Sequence, residues 1–549
     1  STTIMTTRGA SSRRLTNNDN DNTTTNTNHQ NNPLELEDNT RTIDAYLDEA
    51  YTSNKWTSKL SFLFLILSLG VANSSDATEI LCISYILSDE AFDKEILHGD
   101  VSGHGGLIAG SVFLGMLVGG LVVGIWGDEV GRRPALLVGL IINSVAGGLS
   151  AVSPNAIVLA LVRLVAGVGI GATVPPLFSL VAELSPPSTR GLMVTIVASF
   201  WMIGSIYTAV MAIIVFQWNY GGWRTFALWC ALPSATGAAL VYYLVPESPR
   251  FSALHGEFEK AVKVTNMLGG YMGNDVHDDD ALTLEEVQHC YKDSVIEDDD
   301  DDEDEKSKMK KAKQSIQTLY TPKMRSTTLP LQAIWFSLSF GSYGLLIWIN
   351  SIFVEVHLKD VYTNALLFAV ANLPGNVVSG AFMDKVGRKV MLSSSMVCAA
   401  LCLACFAYYA RDPDNQREES GMPVGQVGIV LSACAFQAFS ISGWNTIDCM
   451  TGELFPTSNR STGMGICTAS GRIGAMVAQF VNGSLAEDPV RLLCVACGSL
   501  LFGAIAPCML GEDRAKRPLE DGVENSNEDE EEEELLSGSY QSITPPPIV

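Results

Sequence analysis

Five charged residues stand inside long apolar runs of this 549-residue chain: Asp76, Glu79, Arg163, Asp448 and Arg472. An ionisable side chain at bilayer depth is expensive, and where one occurs it marks a path for ions or solutes. Asp76 and Glu79 are three apart, so on a helix they share a face. Asp76 lies about 24 Å along its run from Leu60, and Arg163 lies about 12 Å in from the opposite end of its own, so their depths overlap. A carboxylate and guanidinium cluster follows, suited to proton coupling, to a cationic solute group, or to a structural ion pair. Further along, Asp448 and Arg472 either bind and balance a solute or neutralise each other. Trp201, Tyr207, Tyr343, Trp348 and Trp444 are candidate walls of a cavity for an organic solute, with core or interface packing as the competing role.

Two short cassettes occur twice, in the same order and at nearly the same offset. The first is Gly124, Asp128, Gly131, Arg132, Arg133, repeated as Gly380, Asp384, Gly387, Arg388, Lys389. The second is "ELSPPSTR" from Glu183 to Arg190, repeated as "ELFPTSNR" from Glu453 to Arg460. In the first cassette glycine permits a tight bend, aspartate accepts from a neighbouring helix N-terminus, and the basic pair anchors at an anionic leaflet. In the second, Glu183 with Arg190 and Glu453 with Arg460 supply opposite charges that can join two halves in one state and release them in another. A static loop staple is the alternative. Repetition between long apolar runs implies a duplicated membrane bundle.

The residues that position these groups must be membrane helices. The chain is 47% hydrophobic yet carries a net charge of −25, so charge and apolar surface are segregated. A span needs about 20 mainly apolar residues, and twelve runs qualify: residues 60–87, 104–126, 134–151, 155–181, 191–216, 223–245, 328–354, 364–383, 390–410, 425–450, 461–483 and 490–510. Runs of this length without strict alternation exclude a barrel, which leaves an all-α membrane protein. Its expected parts are a disordered cytosolic leader (1–59), an N-terminal six-helix bundle (60–250), a cytosolic connector with an acidic run (251–327), a C-terminal six-helix bundle (328–510) and a disordered acidic tail (511–549).

Basic residues crowd the flanks on one side of these spans, among them Lys55, Lys59, Arg250, Lys323, Arg325, Arg514, Lys516 and Arg517, which places both termini in the cytosol. The leader from Ser1 to Leu34 has no apolar core, so no signal peptide is expected there. Of twelve cysteines, all but Cys290 fall in apolar runs, which argues against a disulfide framework. The pairs Cys402 with Cys405 and Cys494 with Cys497 lack the further ligands of a metal site and read as buried side chains. Residues 251–270 have the pattern of an amphipathic helix, whereas the run from Glu297 to Glu305 should remain solvated. In the tail, "EEEELL" from Glu531 and "YQSI" from Tyr540 have the form of sorting signals for adaptors at endosomal, vesicular or vacuolar membranes; the plasma membrane is the other location.

Both turn cassettes, "RLVAGVGIG" from Arg163 and "PESPR" from Pro246 resemble the major facilitator superfamily. Within it, "DATE" from Asp76, "FWMIGSIYTAVMA" from Phe200, "SFGSYGLLIW" from Ser339 and "WNTIDCMTGELFP" from Trp444 are similar to synaptic vesicle glycoprotein-2 and its related vesicle proteins. The resemblance runs from about Leu60 to Leu510. It implies twelve helices around a central cavity faced by Asp76, Glu79, Trp201, Tyr343, Trp444 and Asp448, with Asp128 and Asp384 at the cytosolic hinges. Two departures stand out: the link from Glu355 to Thr363 is too short for the large lumenal domain of the glycoprotein-2 members, and Glu129 replaces a basic residue common after the first hinge aspartate. The resemblance implies transport of a small polar organic solute (sugar, organic cation or organic acid) by alternating access, with protons as a candidate coupling ion and no cofactor. The rival class is a non-transporting vesicle scaffold or receptor acting through its cytosolic segments. No nucleophile and base set, phosphate-binding loop or nucleic-acid partner is expected.

Overall fold

Pairings between helices in the first half recur, helix for helix, in the second. In the computed structural model, which describes residues 41–53, 59–273, 281–292, 313–411, 424–456 and 459–510, all regular elements among the described residues are helical. The first-half spans are α2 (Leu60–Ile86), α3 (Gly106–Val130), α4 (Arg132–Ser150), α5 (Ala156–Leu184), α6 (Arg190–Ala212) and α7 (Trp223–Leu244). The second-half spans are α11 (Pro322–Glu355), α12 with α13 (Val361–Val370 and Asn372–Val386), α14 (Arg388–Ala410), α15 (Val424–Leu454), α16 (Arg460–Ser484) and α17 (Pro489–Ile505). In the first half α2 packs on α6 and α7, α3 on α5, and α4 on α5 and α7; in the second α11 packs on α16 and α17, α13 on α15, and α14 on α15 and α17. The duplication legible in the cassettes is therefore a duplication of packing.

Eleven of these helices are long and apolar enough to cross a membrane by length and composition alone. The twelfth, α16, is 25 residues long but rich in Gly, Ser and Thr, with Arg472 at its centre. It packs against α11 of its own half and α3 of the other, so much of its surface meets protein, where small and polar residues can be satisfied. The eighth span is broken at Ala371, because Pro374 has no N–H to give the carbonyl of Val370. Span α11 begins at Pro322, inside the segment assigned to the connector.

The end of the bundle at which Arg41 and Leu510 lie, hereafter the near end, is capped by four short helices: α1 (Ile43–Ser53), α8 (Pro249–Leu254), α9 (Phe258–Tyr271) and α10 (Leu284–Tyr291). The expected disordered leader is here corrected for residues 43–53. Ile43, Tyr46, Leu47 and Ala50 recur at helical spacing and are all buried, in a core shared with Phe62, Leu65, Leu184, Leu268 and Val287. The amphipathic pattern of residues 251–270 resolves into α8 and α9, with Ala261, Thr265 and Leu268 buried. The acidic run from Glu297 and both tail signals lie outside the described residues.

The two halves meet along α3 with α16, α6 with α12, and α2 with α11. Direct bonds across this seam include Asn350 Nδ2 donating to Ser84 Oγ at 3.0 Å and the stacked rings of Phe216 and Tyr362, 5.3 Å apart. Both lie toward the opposite end of the bundle, hereafter the far end.

Candidate substrate and gating site

Glu79 and Arg163 form a closed pair within the first half. The Arg163 Nη1 to Glu79 Oε2 distance is 2.7 Å, and the two side chains are 0 and 1% exposed. Arg163 Nη2 also lies 3.4 Å from Cys82 Sγ. Room for the carboxylate comes from Gly147 on α4, where a Cβ would fall 2.1 Å from Glu79 Oε1. The pair leaves no net charge and no surface for a ligand.

Asp76, one turn closer to the near end, is placed differently. It is buried, and Thr173 Oγ1 on α5 lies 3.0 Å from its Oδ1 and 2.7 Å from the Ile170 carbonyl. A hydroxyl has one proton, so Thr173 donates either to an ionised Asp76 or to Ile170. The cation with which Asp76 interacts electrostatically is Arg472, which comes from the second half. Arg472 interacts in the same way with Asp448. Asp448 is solvent-exposed although protein surrounds it at depth, which puts it on the wall of an open cleft.

Aromatic rings line the second-half side. The Arg472 guanidinium lies 5.9 Å from the Tyr343 ring centre. Tyr343 packs against Trp444 at 5.3 Å and against Phe113 of the first half at 5.4 Å. Trp444 packs in turn against Trp335 at 5.5 Å. Both indole N–H groups are occupied: Trp444 donates to Ser342 Oγ and Trp335 to Thr451 Oγ1, each at 3.0 Å. Trp201 is half-buried against the core, and the Tyr207 hydroxyl donates to the Trp229 carbonyl at 2.9 Å, tying α6 to α7. Trp348 is fully buried and donates to Gln479 Oε1. Of the aromatic candidates, the structure thus gathers Tyr343 and Trp444 around Arg472 and gives Tyr207 and Trp348 bonds elsewhere.

At the near end the ion pairs run otherwise than the second cassette alone suggested. Glu183 pairs with Arg132 at 3.6 Å and Glu453 with Arg388 at 2.6 Å. Each bridge joins the two cassettes of one half, so these pairs do not join the halves. Arg190 instead meets Asp44 of α1 at 3.3 Å, and Arg250 contacts the same carboxylate. Among the described residues, the Nε and Nη2 atoms of Arg460 are buried and have no hydrogen-bond partner. Lys389 Nζ donates to the Leu510 carbonyl, and Arg133 Nη2 to that of Tyr242. The turns themselves are set by Gly131 and Gly387, whose φ values of 113° and 92° exclude ordinary side chains. The side chains of Asp128 and Asp384 lie outside the described residues.

Sequence reasoning overlooked two features. Glu247 of "PESPR" accepts from the backbone N–H groups of Arg132 and Arg133 at 3.2 Å and of Ser248 at 2.8 Å, clamping the first turn. Burial pushes its carboxyl above the usual carboxylate range, against the opposing effect of these bonds. The signal was present, since a glutamate beside two prolines at a helix end has few other tasks. The second is a small, mainly apolar recess toward the far end of the seam, into whose lining of Leu81, Leu346 and Phe368 the neutral polar residues Ser84, Asn350 and Gln437 are set. Amides inside apolar runs would have pointed to it.

The chain is 26% identical to synaptic vesicle 2-related protein of Xenopus laevis over 89% of its own length and 86% of that protein's. It is 24% identical to synaptic vesicle glycoprotein 2C of Rattus norvegicus, with 82% and 78% covered. Its fold is similar to the inward open conformation of the xylose transporter XylE from E. coli, with a TM-score of 0.62 at 17% identity over 82% of this chain and 97% of that one. The sugar (and other) transporter family matches residues 69–494, and the chain belongs to that family.

Proposed function

We propose that this protein is a carrier that moves a small polar organic solute across a membrane by alternating access, without covalent chemistry. The observation that carries the reading is the electrostatic interaction of Asp76 from the first half with Arg472 from the second, which also acts on Asp448, beside the ring contact of Tyr343 with Phe113 that joins the halves there. A charge cluster that draws on both halves, buried at Asp76 and open to the cleft at Asp448, changes its surroundings whenever the halves rock. The seam bonds toward the far end, Asn350 to Ser84 and Phe216 to Tyr362, support a state closed there. The basic flanks support termini in the cytosol, so that this state opens inward.

The two acceptors of the Thr173 hydroxyl support proton coupling at Asp76: an ionised Asp76 accepts the Thr173 hydrogen bond, whereas a protonated Asp76 can donate to the Thr173 oxygen while that hydroxyl donates to the Ile170 carbonyl. Trp201, Tyr343, Trp444 and Arg472 are the proposed cavity walls. The bridges of Arg132 to Glu183 and Arg388 to Glu453 act as braces that let each half move as one body. The names of the relatives support a vesicular membrane, reached through adaptors that read the tail signals.

Purified protein in liposomes tests the reading. Labelled sugars, organic cations and organic acids are offered with and without a pH gradient. Saturable, gradient-dependent uptake of one class, with the gradient dependence lost in Asp76→Asn, is the expected result. No uptake above empty liposomes for any class refutes the carrier. Unchanged gradient dependence in Asp76→Asn removes that residue from coupling.

A further inference from the structure

We propose that the solute site is built for an organic cation, a protonated or quaternary amine carried on a flat apolar group. The inference rests on the carrier reading above and narrows its substrate class.

Charge arithmetic is the first support. Away from the span ends the chain places three carboxylates and two guanidinium groups at membrane depth: Asp76, Glu79 and Asp448 against Arg163 and Arg472. Glu79 and Arg163 cancel in their closed pair. Among the described residues, Arg472 is then the one cation that acts on both Asp76 and Asp448. With all five ionised, the cleft holds one uncompensated negative charge between low-dielectric walls, which concentrates cations and repels anions.

The surfaces around that charge are the second support. Trp444 and Asp448 are four apart on α15 and share a face. A carboxylate with an indole one turn away and a phenol ring packed against that indole is a surface that holds a quaternary or protonated amine by charge and by its ring faces. Among the described residues Asp448 accepts no hydrogen bond, so its lone pairs are open to a ligand. The indole N–H groups of Trp444 and Trp335 are spent on Ser342 and Thr451. The two indoles therefore offer faces and edges but no donors, so the donors on this wall are the Tyr343 hydroxyl and the Arg472 guanidinium, a small set for a polyhydroxylated solute.

The same liposomes provide the test, now by exchange at fixed pH. Labelled 1-methyl-4-phenylpyridinium, a permanent cation, is offered to vesicles preloaded with the unlabelled compound, in parallel with D-glucose and p-aminohippurate. Expected are saturable exchange of the pyridinium alone, at least a tenfold loss in Asp448→Asn, and recovery in Asp448→Glu. Quenching of tryptophan fluorescence by the pyridinium in detergent gives a second readout should the variants fail to fold, and saturable quenching of the unmodified protein is expected. Exchange of glucose or p-aminohippurate without that of the pyridinium overturns the cation assignment and leaves the carrier standing. No exchange of any of the three, with no quenching, overturns both.

Discussion

Breaking the Glu79 and Arg163 pair should cost far more than removing it. The pair is 2.7 Å long with both side chains essentially inaccessible, so neither charge can recover its hydration when the other is lost. Glu79→Gln keeps the shape of the side chain and strands the Arg163 charge; Arg163→Met strands that of Glu79. Removing one partner of such a pair costs about 3–5 kcal/mol, which is roughly two to four orders of magnitude in the unfolding equilibrium. The double variant Glu79→Gln/Arg163→Met leaves no buried charge, and its cost should stay below about 2 kcal/mol, since apolar replacement of a buried pair is often neutral. The coupling between the sites should therefore be about 3 kcal/mol or more. Reversible unfolding of the purified protein in mixed lipid and detergent, titrated with a denaturing detergent and followed by circular dichroism, measures all four corners of the cycle. Single costs that add to within about 0.5 kcal/mol in the double variant would refute the closed-pair argument, and with it the assignment of the uncompensated charge to Asp76 and Asp448.

Two smaller predictions concern the ends of the bundle. Asp44→Asn removes the carboxylate shared by Arg190 and Arg250 while leaving Ile43, Tyr46 and Leu47 buried. Because Asp44 is partly exposed, the loss should be about 1 kcal/mol, read as a severalfold rise in hydrogen exchange across residues 43–53; unchanged exchange would show that the apolar face alone holds α1. At the far end, hydrogen bonds from Arg224 and Trp223 hold the Glu95 carboxyl below its usual range. A carboxyl whose folded pKa is depressed stabilises above the unfolded value, about 4.3, and loses that contribution as pH falls through the folded value. Hydrogen exchange of residues 90–104 should thus be unchanged from pH 7.5 to 5.5, after correction for intrinsic rates, and rise only below about pH 4. Loss of protection already at pH 5.5 would contradict this.

Where the sequence was legible, periodicity and length carried the information. Twelve runs became twelve spans because a helix is the form in which a single segment satisfies its backbone in hydrocarbon. The repeated cassettes mark equivalent turns because Gly131 and Gly387 hold a φ that other residues resist. The helix α1 escaped notice because Ile43, Tyr46, Leu47 and Ala50 form too short an apolar stripe to stand out from a polar leader; its stability comes from α9 and the base of α2 and α5.

The pairing of charges was another matter. Sequence alone determined which groups are costly at depth, namely Asp76, Glu79, Arg163, Asp448 and Arg472, and that the chain is a duplicated helical bundle. It could not determine that Arg163 neutralises Glu79 and not Asp76, three residues away, or that Glu183 turns to Arg132 and leaves Arg190 to Asp44. Tertiary structure decided those partners, because charge partners on different helices depend on rotation and crossing of helices distant in sequence, whereas helix formation and burial cost depend on each segment alone.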